Sequence, residues 1–277
     1  MKFLLQKDVL LDFIFALQKA KEWYDWWQPL AYPPIIEFVD SGCSKDICPV
    51  GSLEFCLDYY KQLGIDLKPT NVPESLFRYA LGYRSGVGSG KNIKISEFID
   101  RIRVVNKVPK DRMDHLVNEH NSGWFIKSET KFKSPGNGLY GTLADFINSE
   151  YYDPSDKYQI CSEEVGLLDE WRIFVFDGNV LDMKRYSVGE DGPTVVKSPD
   201  LEIIKKVVET ISLPAYSFDL GIVDYNYKLK RHPAVYAPNY LTRVVEVHDF
   251  FSTGLYGFSD YNKLPYMFYR SHLHKFL

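Results

Sequence analysis

Four groups of residues have the types and spacing that chemistry needs. The first is Arg243-Val244-Val245-Glu246-Val247-His248-Asp249. Side chains alternate along a strand, so Glu246 and His248 share one face while Val245 and Val247 turn into a core. A carboxylate and an imidazole on one face can hold a cation. Asp219 stands in a second apolar segment, Tyr216-Ser217-Phe218-Asp219-Leu220-Gly221. If the two strands pair, Asp219 and Glu246 share one hard metal such as Mg2+. Two solvent-facing acids on an edge strand are the plainer reading.

The second group is basic. Phe125-Ile126-Lys127 ends a short strand, and Lys131, Lys133 and Ser134-Pro135-Gly136-Asn137-Gly138 follow. Lysine is a point charge and glycines let backbone N–H groups approach, which suits a polyphosphate. A solvated surface loop has the same composition. The third group is Glu170-Trp171-Arg172, after Ser162-Glu163-Glu164-Val165. A positioned arginine stabilises charge on a transferring phosphate, although an ordinary cross-strand ion pair reads the same. The fourth, Gly86-Val87-Gly88-Ser89-Gly90-Lys91, imitates a phosphate-binding P-loop. Ser85 stands where the first glycine is needed and Asn92 where Ser or Thr is needed, and no clear apolar strand precedes it. A flexible, substrate-covering loop is the expectation there.

These residues need elements to position them. Met1 to Leu17 is too interrupted by Lys7, Asp8 and Asp12 for a signal peptide and reads as an amphipathic first helix. Lys7 to Trp27 has helical content, ended by Pro29, Pro33 and Pro34. Ile35–Val39 reads as a strand, Ser52–Leu63 as a helix closed by Gly64, Pro73–Tyr83 as another, and Ile93–Val105 as an amphipathic element. From Gly123 strands dominate: Trp124–Lys127, Gln159–Ser162, Trp171–Phe176 and Val180–Tyr186, the last two joined by Asp177-Gly178. Leu201–Ile211 is helical, followed by strands over Ser217–Val223 and Thr242–Val247. The order is that of an α/β (α+β) protein with at least two layers.

Composition limits the partners. The 277 residues include 33 basic and 37 acidic side chains, a formal charge of −4. That balance excludes a strongly basic nucleic-acid binder and a long acidic disordered chain. No stretch approaches the roughly 20 apolar residues of a membrane span. Cys43, Cys48, Cys56 and Cys161 lack metal-ligand spacing and read as reduced thiols of a cytosolic protein rather than a zinc site. The aromatic share is 16%, which suits a protein that handles small molecules.

In their order these pieces resemble the ATP-grasp superfamily, and within it the small, phage-associated R2K clade. The resemblance rests on Phe125 to Gly138, Ser162 to Tyr186 and Tyr216 to Gly257, including Val245-Glu246-Val247-His248-Asp249-Phe250 and Gly254-Leu255-Tyr256-Gly257. Pro49-Val50-Gly51-Ser52-Leu53-Glu54-Phe55 and Asn71-Val72-Pro73 also look like that clade's N-terminal region.

The resemblance implies an ATP-grasp fold in three parts. Residues 1–115 would be an α/β region on the acceptor-substrate side, 116–190 a subdomain with the antiparallel sheet, lysines and hinge, and 191–277 a subdomain with the metal-binding strands. ATP would lie between the two subdomains. Lys127 would contact the α- and β-phosphates, with Lys131 or Lys133 as the second lysine. Glu163, Glu164 and Val165 would form the hinge that meets adenine, Glu170 a ribose or hinge acid, and Arg172 would face the γ-phosphate. Asp219 and Glu246 would bind Mg2+. Lys127, Arg172 and Arg243 are the implied catalytic residues. Arg243, Lys184 and Arg185 are candidates to hold an anionic substrate. Phe125, Trp171, Phe174, Tyr186, Phe218, Phe250 and Tyr256 flank these motifs and are expected to frame the adenine cleft or support its strands.

One position departs from the family, which usually has Asn two residues after the metal glutamate; here it is His248. Imidazole nitrogen is a poorer Mg2+ ligand than an oxygen. His248 is left to bind through water, to contact phosphate, to mark a preference for Mn2+ or to mark lost activity; the retained acids and lysines argue against the last. The implied activity is ATP-dependent ligation of an unidentified carboxylate and amine (an amino acid, a peptide or a protein terminus) through an acyl phosphate, in the cytoplasm. A kinase on the same scaffold and a non-catalytic ATP-binding module are the alternatives.

Overall fold

Lys2-Phe3-Leu4-Leu5 is too short for periodicity to separate strand from helix. In the computed structural model it is a strand, β1 (Lys2–Leu5), which corrects the expected helix at the N-terminus. The physical reason is its place. β1 is the central strand of a parallel sheet, between β2 (Glu37–Val39) and β3 (Ile47–Val50), with Phe3 fully buried. The structure describes residues 1–7, 9, 11–31, 35–81, 93–105, 118, 123–162, 166–188, 197–224, 226 and 239–277. The glycine-rich loop 85–91 and Glu163, Glu164 and Val165 lie outside the described residues.

Helix α1 (Asp12–Ala31) starts at Asp12, whose carboxylate accepts from the Phe13 N–H at 2.9 Å and from the Leu255 N–H at 3.1 Å. The first bond satisfies a donor at the helix start. The second fastens the helix to a loop near the C-terminus. Helix α2 (Leu53–Gln62) is capped by Ser52, whose hydroxyl accepts from the Phe55 N–H. The expected helix over Pro73–Tyr83 is a 3-10 turn over Glu74–Tyr79. It stops because Ala80 leaves as extended chain: Ala80 bridges Val244, and the Leu81 N–H donates to the Val244 carbonyl at 2.8 Å.

Two antiparallel sheets build the rest. The smaller has the order β5-β4-β6, with β4 (Trp124–Ser128), β5 (Gly138–Tyr140) and β6 (Tyr158–Ser162). Trp124 and Ile126 pack under α3 (Ile95–Val105) and α4 (Leu143–Ile147), against Phe98, Ile99 and Phe146. Phe125 and Lys127 therefore turn to the opposite face. The larger sheet has the order β10-β9-β7-β8, with β7 (Gly166–Phe176), β8 (Asn179–Val188), β9 (Ala215–Asp224) and β10 (Tyr240–Asp249). It draws strands from both sides of the expected 190/191 boundary.

One face of the larger sheet carries Ile173, Val175, Phe218, Leu220, Val244 and Val247 onto α5 (Leu201–Thr210) and the 3-10 turn. The other face sends Phe174 into a core shared with Phe3, Phe13, Phe250 and α6 (Leu264–His274). A third cluster lies between the sheets: Phe125 and Cys161 from the smaller meet Leu167, Val223, Leu241 and Val245 from the larger. Among the described residues no helix is long and apolar enough to cross a membrane.

His272 on α6 is buried between Tyr60 of α2 and the Lys45 carbonyl. Its Nε2 lies 2.9 Å from that carbonyl, which only accepts, so Nε2 carries the proton and Nδ1 accepts from the Tyr60 hydroxyl at 2.9 Å. Burial lowers the His272 pKa against the upward pull of the Lys45 carbonyl and Asp46. The unfolded chain therefore takes up a proton near pH 6.5 and the folded one only at lower pH. More protons bound in the unfolded state means stability rises with pH. Urea unfolding between pH 7 and 5 is expected to show stability falling below about pH 6.5, and His272→Gln is expected to flatten that slope.

Candidate active site

Register decides which side chains meet. β10 runs opposite β9 as Val244↔Leu220 and then Glu246↔Asp219, so Val245 is an extra residue. This bulge corrects the expected alternation. Val244 and Val247 both pack beneath the sheet, whereas Val245 faces the cluster between the sheets. Bulges re-aim side chains in this way and recur beside functional sites. Glu246 and His248 keep a common face. A second bulge, between Leu167 and Asp169 on β7, sets Arg172 opposite Asp219. One row across four strands thus reads Lys184, Arg172, Asp219, Glu246.

Asp219 is fully buried and Arg172 is 5% exposed. The guanidinium grips the carboxylate bidentately, Nε to Oδ1 at 2.8 Å and Nη2 to Oδ2 at 2.7 Å. The Tyr186 hydroxyl donates to Oδ2 at 3.0 Å, and His248 Nε2 stands 3.0 Å from the same oxygen. His248 Nε2 is also 3.0 Å from Glu246 Oε1. Lys127, arriving from the smaller sheet, forms an ion pair with Glu246. Tyr256 lies over the Arg172 guanidinium at 4.7 Å and stacks on Tyr186 with centroids 4.6 Å apart. Arg172 Nη1 donates to the Gly254 carbonyl at 3.3 Å.

The charges tune one another. Burial alone raises a carboxyl pKa, yet Asp219 is held below its ordinary value because Arg172 and His248 outweigh burial. Burial is likewise the largest influence on Glu246, and His248 and Lys127 overcome it to hold its carboxyl far below the usual range. Burial lowers His248, but Asp219 and Glu246 raise it on balance. Both acids therefore stay ionised, as metal or cation partners must.

A cavity of ≈ 310 Å3 opens beside this row, lined by Lys127, Lys131, Lys133, Glu246 and His248 as well as Thr70 and Asn71. Both lysines that the sequence left as alternatives reach it. They differ in restraint. Lys131 Nζ is 3.3 Å from Asp153 and 3.8 Å from the buried Asp156, which also accepts from Ser128 at 2.8 Å. Lys133 has a positive φ of 43° and, among the described residues, pairs with an exposed Glu54 at 3.8 Å.

The structure brings together Lys127, Arg172, Asp219, Glu246 and His248. Glu170 joins through Tyr186, whose hydroxyl lies 3.3 Å from its Oε1. Arg243 stands apart from the row and reaches the Arg78 carbonyl at 3.4 Å. Arg185 is committed to the buried Asp169, and Lys184 lies 3.0 Å from Asp182. Of the flanking aromatics, Phe174, Phe218 and Phe250 are core residues, while Tyr186 and Tyr256 touch Arg172. Tyr256, expected beside the nucleotide motifs, packs on Arg172, whereas the contacts of Asp156 have no cue in the sequence. For Tyr256 a cue existed, its place between Gly254 and Gly257.

The family model described as ATP-grasp domain, R2K clade family 2, matches residues 104–264, more than half of the chain. No curated protein matches the chain. Among solved structures, the chain is similar to D-alanine–D-alanine ligase from Bacillus anthracis, with 13% identity, 99% of this chain and 98% of that one covered, and a TM-score of 0.40. It is also similar to the ATP-grasp ligase PsnB complexed with a minimal precursor, with 10% identity, 100% and 98% coverage, and a TM-score of 0.43.

Removing one partner of a buried ion pair leaves an uncompensated charge. Arg172→Met is expected to cost about 3 kcal/mol, the low end for a broken buried pair, because Tyr186 and His248 still reach Asp219. Arg172→Met/Asp219→Leu is expected to regain much of that loss. Urea midpoints of the two variants against wild type check both.

Proposed function

The chain belongs to the ATP-grasp domains of R2K clade family 2, and from this we propose that it is an ATP-dependent carboxylate–amine ligase working through an acyl phosphate. One observation carries the reading. Lys127 on one sheet meets a row of Arg172, Asp219 and Glu246 on another, beside a cavity that two further lysines line. Cations and acids stand side by side where a nucleotide's phosphates need both.

In this reading a substrate carboxylate oxygen attacks the γ-phosphorus of ATP. The bond from that phosphorus to the β,γ-bridging oxygen breaks, and ADP leaves. An amine then attacks the acyl carbon, phosphate departs with the C–O bond, and the nitrogen loses a proton. Lys127 and Lys131 or Lys133 hold phosphate oxygens as point charges. Arg172, fixed on three sides, presents its cation to the transferring group without reorganising. The segment joining β6 to β7, with Glu163, Glu164 and Val165, meets adenine, and Glu170 approaches the ribose. Arg243 and Lys184 remain candidates for an anionic acceptor.

Asp219, Glu246 and His248 offer donor atoms within 4.8 Å of one another. Two of the three are hard carboxylate oxygens, which fits Mg2+. When bound there, such an ion would neutralise charge on the phosphate oxygens. Cys43, Cys48, Cys56 and Cys161 are free thiols, which fits a reducing cytoplasm, that of a host if the gene is phage-borne.

The test is phosphate release across panels of acids and amines. A ligase is expected to give ADP and free phosphate only when both are present. Lys127→Ala and Glu246→Gln are each expected to lower that rate by about a hundredfold or more. A phosphorylated product without free phosphate would mean a kinase, and undiminished release in both variants would overturn the site.

A further inference from the structure

The structure assigns His248 a role as direct nitrogen ligand of the cation held by Asp219 and Glu246, and with it a preference for Mn2+ over Mg2+. The assignment rests on the nucleotide reading above and adds which ion the site selects. The first argument is distance. His248 Nε2 is 3.0 Å from Asp219 Oδ2 and 3.0 Å from Glu246 Oε1. Neighbouring ligands of an octahedral ion at about 2.1 Å stand roughly 3.0 Å apart. A side chain acting through a bound water would stand farther back. The same nitrogen thus has the spacing of an inner ligand to both carboxylates at once.

The second argument is a conflict of partners. Arg172 Nη2 lies 3.0 Å from His248 Nε2, and a guanidinium only donates. The two carboxylates only accept. An N–H at Nε2 serves the carboxylates and confronts the guanidinium; a lone pair does the reverse. A divalent cation among the three donor atoms takes the Nε2 lone pair and the carboxylate oxygens together, and the Arg172 Nη2 keeps its own acceptor in Asp219 Oδ2 at 2.7 Å. The backbone fixes this placement: Val247 is buried beneath the sheet, and His248 sits in register with Ser217, two residues from Asp219.

Donor chemistry then sets the ion. Mg2+ takes oxygen ligands and gives up water reluctantly. First-row divalent ions bind mixed nitrogen and oxygen sites, and Mn2+ among them also suits carboxylates and phosphates. A site of two carboxylates, one imidazole and nucleotide oxygens matches Mn2+ better than Mg2+.

The full chain is titrated with Mn2+, with and without the non-hydrolysable analogue β,γ-methylene-ATP. Free Mn2+ is read by continuous-wave EPR and bound nitrogen by pulsed EPR. The expected result is 14N modulation from a coordinated imidazole. It is expected to vanish in His248→Gln, whose amide oxygen reaches about as far as Nε2. Mn2+ affinity should fall at least about tenfold in that variant, while Mg2+ affinity, from competition, holds or rises. Bound Mn2+ without nitrogen modulation, or modulation that survives His248→Gln, overturns the assignment. Calorimetry with the analogue separates the two readings. Analogue binding with Mg2+ but no nitrogen signal with Mn2+ sinks the His248 role alone. A nitrogen signal without analogue binding sinks the nucleotide reading alone, and absence of both sinks both.

Discussion

Burying an aspartate outright is tolerable only if its charge is matched in place, and the Asp219–Arg172 pair is the constraint around which the rest is arranged. Both groups sit inside the larger sheet, one on β9 and the other on β7, where water cannot compensate. Desolvating them costs several kcal/mol per ion unless geometry and extra hydrogen bonds recover it. The recovery here is a bidentate grip, the Tyr186 hydroxyl, the His248 ring and the Gly254 carbonyl. Each of these comes from a different stretch of chain. Asp12, at the start of α1, ties in the loop that carries Gly254 through the Leu255 N–H. The N-terminal region thereby braces a charge pair more than 150 residues away in sequence.

The pair also explains the bulges. A regular ladder would bring Val245, not Glu246, opposite Asp219. The extra residue on β10 lets Val244 and Val247 both face the apolar layer under α5 while Glu246 and His248 face the cleft. The local twist that a bulge adds is compatible with an outer strand. β10 is such a strand in the sheet order, joined on its far side, among the described residues, by the short bridge at Ala80.

Much of this was legible in the sequence, for reasons that differ by element. Leu53–Gln62 and Leu201–Thr210 carry helical spacing with a capping Ser52 and Asp200, so local signals alone place them. Asp177-Gly178 made the β7–β8 hairpin readable, and both residues adopt the positive φ that such a turn needs. Asp219 and Glu246 were placed together because both lie in apolar runs. β1 and β3 were not read, because Lys2–Leu5 and Ile47–Val50 are four-residue runs defined only by their partners. The buried face of the helix Leu264–His274 is set by Phe13, Phe250 and Phe174 far away in sequence. The bulge at Val245 is a tertiary fact: nothing in Val244-Val245-Glu246 distinguishes it from a plain strand. The same holds for Lys127 and Glu246, read as servants of different ligands and found as each other's partner.

That last pair bears on how the cleft works. The two sheets meet through an apolar cluster of Phe125, Cys161, Leu167, Val223, Leu241 and Val245, and beside it Lys127 reaches across to Glu246. Apolar contact holds the sheets together without regard to charge. The ion pair, partly open to the cavity, responds to charge: an anion drawn to Lys127 and a cation drawn to Glu246 each replace half of it. In the proposed reading a nucleotide with its metal would bring both signs at once, so that neither partner would be left bare if the pair opened.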